Sequence, residues 1–392
     1  MAALDGLKVV EAGLLVQGPQ AAALLRDWGA EVIKVELPGF GDQSRWVLTP
    51  DGDGRGPYFI GCNRGKRSVT VDLRSAAGKE IFLKLAEWAD VVITNFKPGT
   101  MDEWGLGYGD LAARNERLVC AAGSTYGPLG DDAGREGADL AGQAAGGLIA
   151  TTGTDGGEPT PVGATIADHI ASQNLVAGIL AALIARERTG RGQQVEASLL
   201  GGQIWAQASE YTSYLLTGRV PRRANHGNSL IAGLYSIYPT ADGWIAIVGV
   251  VGGARQVFFD LLGRPDLAEK YPAPLYTEAE KDALFTELST VFSRLSTAEW
   301  CSILTAAGIR HAPVRDYAAV AADPGVWENG YLVRGADLGV PDDVVGSPVR
   351  FSATPATVAG TAPELGQHTE EVLLELGYTW EEIGRLRDAG GI

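Results

Sequence analysis

The chain has 392 residues, 45% of them apolar, and 32 basic against 48 acidic side chains leave a net charge of −16. That is enough apolar material for a large core, in two domains or in one with a sizeable insert, whereas the acidic balance argues against a general nucleic-acid surface, which needs a basic stripe. Three scattered cysteines, Cys62, Cys120 and Cys301, are too few for a disulfide framework or a tetrahedral metal site. With no basic-then-apolar leader pattern and no uninterrupted apolar run of membrane-spanning length, the expected setting is the reducing cytoplasm, free of membrane.

In chain order, Leu7 to Ala12 reads as a buried strand, Pro19 to Trp28 as a helix with proline near its first turn, and Glu31 to Glu36 as the next strand. Val69 to Leu73 follows as a strand, then a helix from Ser75 to Ala89 with Ile81, Leu85 and Trp88 on one face, and strands at Asp90 to Phe96 and Leu118 to Ala122. Strands alternating with helices predict a parallel, doubly wound α/β layer. A nicotinamide dinucleotide is improbable there, although Glu36 sits where a ribose-binding acid would. The first turn, Gly13 to Pro19, lacks G-x-G-x-x-G and its proline removes a phosphate-facing N–H.

A long apolar helix runs from Asp168 to Arg188, and its unpaired first N–H groups favour a charged carboxylate. Asp168 is therefore the best candidate nucleophile, against the plain alternative of a helix-capping aspartate. Past residue 200 the pattern becomes α+β. Leu234 to Thr240 and Trp244 to Val250 read as a hairpin across Ala241-Asp242-Gly243, followed by helices at Ala254 to Leu262, Glu278 to Leu295 and Ala298 to Ala307 and a strand at His311 to Arg315. Gly325 to Pro348 returns the chain, and the tail from Ser347 to Ile392 holds a short strand and two helices, the last opened by the capping box Thr379-Trp380-Glu381-Glu382. One cationic stretch, Asn63-Arg64-Gly65-Lys66-Arg67 with Arg45, Arg55 and Arg74 nearby, interrupts the acidic background. Read plainly, such a run is a solvated turn.

Several segments carry a likeness: Leu4-Asp5-Gly6-Leu7-Lys8-Val9-Val10-Glu11, Gly18-Pro19, Gly29 to Glu36, Asn63 to Val69, Asn95-Phe96-Lys97-Pro98-Gly99, Leu183 to Gln193 and Ala362 to Thr369. Together and in this order the sequence resembles the family III CoA-transferases, also called the carnitine-dehydratase or formyl-CoA transferase family, with the α-methylacyl-CoA racemases among their relatives. The resemblance implies a large Rossmann-like domain formed by both chain ends (residues 1–200, with 326–392 returning to it), a smaller α+β domain (225–325) and an interlocked homodimer. It implies transfer of CoA from an acyl-CoA to a free carboxylic acid, with CoA as substrate and no other cofactor or metal. Asp168 would be the catalytic carboxylate, forming first a mixed anhydride and then an enzyme–CoA thioester, and the backbone N–H of Gln17 an oxyanion donor. Lys66 and Arg67 would meet the phosphate or adenine end of CoA. Val16, Gln17, Asn95 and Phe96 would line its path, and Gly249, Gly252 and Gly253 would form a loop covering the acyl intermediate.

Two other readings compete. Racemases of this family place a histidine before an aspartate upstream of the catalytic Asp; here that pair is Ala138-Asp139, and alanine carries no proton. His169 is not a substitute, because a helix neighbour points about 100° away. A non-catalytic CoA-binding protein would have no need of Asp168. For Asp139 a structural role is expected, while Glu210, Tyr211, Arg219 and His226 are placed only by location.

Overall fold

The computed structural model describes residues 1–48, 52, 54–231, 233–272 and 277–392. Residues 1–146, 164–206 and 324–392 form one compact unit, and residues 147–163 and 207–323 a second. The second unit thus starts before residue 225 and takes a loop and short helix from inside the segment 1–200, a long-range association that no local pattern announces.

In the first unit, β1 (Lys8–Glu11), β2 (Glu31–Glu36), β3 (Arg67–Thr70), β4 (Val91–Thr94), β5 (Val119–Ser124) and β6 (Gln194–Ser198) form one sheet in the order β3-β2-β1-β4-β5-β6. Every pairing is parallel. β3 begins two residues earlier than its apolar run suggests, because Arg67 pairs with Ile33 at its start. β6 was not anticipated. It is an edge strand, half-exposed and polar at alternate positions, with Gln194 and Glu196 alternating with Val195 and Ala197, which is a weak signal beside the continuous apolar runs of buried strands. The tail carries the helices Thr369–Glu375 and Trp380–Asp388. The short strands β10 (Leu332–Val333) and β11 (Val344–Val345) precede it, in the returning segment.

Period-two alternation sends neighbouring strand residues to opposite faces. Val10, Ile33, Val35 and Val92 pack with Ile81, Phe82 and Leu85 of the helix Ala76–Trp88. Val9, Val32, Val91 and Ile93 face the helices Gln17–Asp27 and Ile166–Thr189. The latter is long and apolar enough to cross a bilayer, yet here one stripe of it, Leu175, Val176, Ile179 and Ala182, packs in this core.

The second unit is built on an antiparallel sheet of β7 (Leu234–Pro239), β8 (Trp244–Val250) and β9 (His311–Pro313). Tyr238, Ile245 and Ile247 bury one face against Phe258, Leu288, Phe292 and Trp300.

At the C-terminal ends of β1 and β2 the core is ionic. Glu11 and Lys34 lie side by side across the β1–β2 register, both fully buried, with Lys34 Nζ 3.1 Å from Glu11 Oε1 and 2.9 Å from Asp42 Oδ2. Arg45 reaches Glu36 at 2.7 Å and Lys66 reaches Glu11 at 2.9 Å, so three buried anions meet three buried cations. Burial works against the charge on Lys34, but Asp42, Glu11 and Glu36 outweigh it and its pKa ends above the ordinary value. Burial likewise opposes charge on Asp42 and Glu36, and their cations and hydrogen-bond donors hold both below the usual carboxylate range. Removing one member of such a set strands its partners. Lys34→Met is therefore expected to cost about 3–5 kcal/mol of stability, read as a lower urea midpoint; an unchanged midpoint would show that the cluster does not hold the fold.

Candidate active site

The strand order reverses between β1 and β4, the place where open α/β sheets bind ligands beyond their carboxyl ends. The turn after β1 and the residues after β4 meet there, and nearly every polar group of the turn is fastened. Gly13 N–H donates to Glu11 Oε1 (2.5 Å) and Lys34 Nζ donates to Gly13 O (3.1 Å). Leu14 N–H donates to Asn95 Oδ1 (2.7 Å), while Asn95 Nδ2 donates to Leu14 O (2.8 Å). Leu15 N–H donates to Asp42 Oδ1 (3.0 Å). Leu15 has φ 61, a left-handed conformation costing a leucine about 1 kcal/mol, and Asp42 holds it there. Only glycine fits at 13: a Cβ would lie 2.9 Å from Glu11 Oε1 and 3.0 Å from both Asn95 Oδ1 and Pro19 Cδ.

The helix Gln17–Asp27 starts directly after this turn without a side-chain cap. Gln20 N–H bonds to Val16 O and Pro19 has no N–H, so the N–H groups of Gln17 and Gly18 have no protein acceptor among the described residues. Two free donors at a positive helix end form a site for developing negative charge. The buried Gln17 side chain points elsewhere, its Nε2 3.4 Å from Ser124 O and from Ala197 O.

Asp168 lies in the first turn of the helix Ile166–Thr189, after Thr165 at the cap position. It does not cap the helix. That role falls to Asp139, whose Oδ1 accepts from the N–H groups of Ala167 (2.7 Å) and Asp168 (3.3 Å), with Gln143 Nε2 on its other oxygen at 2.6 Å. The capping alternative for Asp168 is thereby removed, and Asp139 takes the structural part. Among the described residues no donor reaches the half-buried Asp168 carboxylate. Burial, reinforced by the neighbouring Asp139 charge, raises its pKa from 3.8 to about 7. Near neutral pH the carboxylate is therefore only partly ionised, because burial opposes its charge and Asp139 has taken the N–H groups of the helix start. Ser172, one turn on, has its Oγ 2.8 Å from Asp168 O and 2.7 Å from Gln17 O, which joins the start of the Asp168 helix to that of the Gln17 helix.

His169 is engaged on both ring nitrogens, Nδ1 with Gln20 Oε1 (2.7 Å) and Nε2 with Thr165 Oγ1 (3.1 Å). Burial holds its pKa below the ordinary value, and a neutral ring protonated on Nδ1 satisfies both partners. It is a packing residue of the two helix starts.

The cationic stretch turns inward. Lys66 is fully buried, and its ammonium donates to Glu11 Oε2 (2.9 Å), Pro19 O (2.8 Å) and Asn63 Oδ1 (2.8 Å). All three protons are used, and burial pulls its pKa down to about 8. Arg67 is ringed by Glu31, Glu371 and Glu375 at 2.8 to 2.9 Å, and Arg64 pairs with Asp27. Lys66 and Arg67, expected at the CoA phosphates, are thus both engaged by protein partners. Val16 is 3% exposed, so only its backbone borders the turn. Asn95 is clamped on Leu14, leaving Phe96 as the residue of the expected CoA path that faces open space.

Phe96 stands between two crevices. One, of about 230 Å³, is lined by Leu14, Leu37, Phe40, Leu73, Arg74 and Trp104 among others; the second, of about 260 Å³, includes Lys97, Tyr108, Cys120 and Glu196. Phe96 packs edge-on against Trp104 with centroids 5.2 Å apart. Leu37, Phe40 and Trp104 escaped sequence reading because nothing local marks a loop residue as lining a crevice. Glu36 does not resemble a ribose ligand, since both its oxygens are committed, to Arg45 and Asp42 N–H on one side and to Arg45 and Ser68 on the other.

Gly249, Gly252 and Gly253 belong to the second unit. Gly249, at φ 59, is the extra residue where the β7–β8 register shifts, and Gly252, at φ 57 and ψ −136, begins the helix Gly253–Leu261. Both positions need glycine for backbone reasons, and a covering role rests on the resemblance alone. Tyr211 and Glu210 line a separate pocket of that unit with Tyr214 and Val220, and His226 stacks on Phe285 at 3.4 Å.

Residues 4–369 match CoA-transferase family III. The chain is 33% identical over 387 residues to a succinyl-CoA:mesaconate CoA-transferase of Haloarcula marismortui, covering 96% of this chain and 97% of that one. It is 31% identical to the human succinyl-CoA:glutarate CoA-transferase, covering 99% and 89%. The crystal structure of a CAIB/BAIF family protein from Brucella suis superposes with a TM-score of 0.85 at 34% identity, covering 96% of this chain and 99% of that one.

The raised Asp168 pKa carries a stability consequence. Between pH 3.8 and about 7 the folded state holds more protons at Asp168 than the unfolded chain, so stability falls as pH rises through that window. Asp168→Asn lacks this loss. It is expected to match the wild type at pH 4 and to be more stable at pH 8 by about 1–2 kcal/mol, the full shift being discounted for partial exposure. Urea titrations at the two pH values measure the difference, and equal stability at pH 8 would contradict a sheltered carboxylate.

Proposed function

The chain belongs to CoA-transferase family III and is a CoA-transferase, and from that premise we propose that Asp168 is its covalent nucleophile and the Gln17–Gly18 amides its oxyanion donors. The observation that carries this reading is a half-buried carboxylate, without a donor among the described residues, on a helix whose first turn is tied through Ser172 and the backbone oxygens of Asp168 and Gln17 to a helix start with two free N–H groups.

Asp168 attacks the thioester carbonyl of the donor; the carbonyl oxygen becomes an oxyanion, the C–S bond breaks and CoA leaves as thiolate, giving a mixed anhydride. The thiolate then attacks the Asp168 carbonyl, expels the donor acid as carboxylate and leaves an Asp168–CoA thioester. The acceptor carboxylate attacks that thioester and the two steps run in reverse, so charge and atoms balance without a redox partner. Burial strengthens the attack by withholding solvent from the carboxylate, at the expense of a pKa close to neutrality. Position 138 is alanine, so the proton-carrying histidine of the racemase relatives has no counterpart there.

The nucleotide of CoA is assigned to the crevice around Phe96, Leu73 and Trp104, with Arg74 and Lys97 as the cations nearest its phosphates in place of Lys66 and Arg67. Arg74 is exposed and, among the described residues, paired only to Asp72 on its own loop at 2.9 Å, and Lys97 is exposed. Because the relatives above share succinyl-CoA and act on mesaconate and glutarate, succinyl-CoA is the proposed donor and a short dicarboxylic acid the acceptor. The family resemblance further supports a homodimer without metal or redox cofactor, and the sequence composition a cytoplasmic setting.

Incubation with succinyl-CoA and hydroxylamine is expected to inactivate the wild type through Asp168 and to leave Asp168→Ala unmodified. A wild type that acquires no modification would remove the covalent reading, and a panel of dicarboxylic against monocarboxylic acids tests the substrate class. The rate should rise with pH to a plateau, with its midpoint near 7. Asp139→Asn, which keeps the capping oxygen but loses the charge, is expected to move that midpoint to lower pH while burial, the larger cause, still holds it above 3.8. A midpoint that does not move would show that the charge of Asp139 is not felt.

A further inference from the structure

The turn Gly13–Leu15 is gripped by the side chains of Asn95, Asp42 and Lys34. Asn95 spends its carbonyl oxygen on Leu14 N–H and its amide nitrogen on Leu14 O, which is the pairing of a neighbouring strand supplied by one side chain. Asp42, 1% exposed, has one oxygen on the N–H groups of Leu15 and Ser44 and the other 2.9 Å from Lys34 Nζ. Lys34 in turn holds Gly13 O. Directly downstream stand the free N–H groups of Gln17 and Gly18. Leu15 sits at φ 61, so the turn would relax if its amide were released.

We propose that Asn95 and Asp42 are positioning residues for the transferase reaction: by fastening Leu14 and Leu15 they fix the Gln17 and Gly18 amides where the tetrahedral oxyanion forms. This rests on the covalent reading above for the identity of the oxyanion. It separates Asn95 from a ligand-lining role, since a residue that touched CoA would act on donor binding, whereas a residue that aims an oxyanion donor acts on the chemical step.

The test is Asn95→Asp, which keeps the size and the oxygen for Leu14 N–H but sets a second oxygen against Leu14 O. Asp42→Asn is the companion variant. Steady-state kinetics with succinyl-CoA, thermal melting and hydrogen exchange of the peptide spanning residues 12–20 are read together. The expected result for Asn95→Asp is a kcat lower by about 10–100-fold, a donor KM within about twofold of wild type, and faster exchange in that peptide. A raised KM with unchanged kcat would assign Asn95 to the ligand and overturn the proposal, as would faster exchange with unchanged kcat. If Asp42→Asn does not fold, Asn95→Asp decides alone, because Asn95 follows the end of β4 and is partly exposed. Acylation of wild-type Asp168 is measured in parallel. Its absence would sink the anhydride, while the kcat against KM split still judges the turn.

Discussion

The buried pairing of Lys34 with Glu11 and Asp42 is the constraint on which the rest of the site depends. Each member serves two purposes. Glu11 neutralises Lys34 and Lys66 and also accepts from Gly13 N–H; Lys34 neutralises two carboxylates and also donates to Gly13 O; Asp42 closes the set and holds Leu15 in a backbone conformation that leucine avoids. Desolvating so many charges is expensive, and replacing such clusters with apolar residues often does no harm to stability. An apolar replacement here would leave the polar groups of the turn unpaired, so the cluster is better understood as a device for holding backbone than as a source of folding energy.

The two helix starts at the site are treated in opposite ways. The one at Gln17 has no cap, and its amides stay free for a ligand oxygen. At the other, Asp139 from a different helix takes the amides of Ala167 and Asp168, so the dipole that would have stabilised an ionised Asp168 is already answered. The donors are thus concentrated where we propose that an oxyanion develops and withheld from the carboxylate proposed to attack. The same carboxylate that caps the second helix adds its charge to the cost of ionising Asp168, which links helix capping to the acid–base state of that side chain.

The basic stretch Asn63 to Arg67 shows where sequence reasoning misleads. In an acidic chain it resembles an anion site or, read plainly, a solvated turn, yet Asn63, Arg64 and Lys66 are buried. Lys66, Arg64 and Arg45 instead complete ion pairs with Glu11, Asp27 and Glu36, partners 55, 37 and 9 residues away. Charges inside otherwise apolar strands, Glu11 in β1 and Lys34 and Glu36 in β2, were the signal that cations would be wanted in the interior. Asp168 was singled out by its place at the start of a long apolar helix and by the family resemblance, but the loss of its helix donors to Asp139 was not legible there.

By itself the sequence determined the alternation of strands and helices, the hairpin of the second unit, the absence of a dinucleotide fingerprint and the family, because these follow from period, turn chemistry and ordered local motifs. The tertiary structure alone decided which polar atoms are spent and which are free: that Asn95 serves Leu14, that Lys66 has no proton left, that Asp139 caps a helix 28 residues further on. The reason is physical. Local backbone preference is written in neighbouring residues, whereas the charge and hydrogen-bonding capacity of a buried group depend on partners that only chain folding brings within 3 Å.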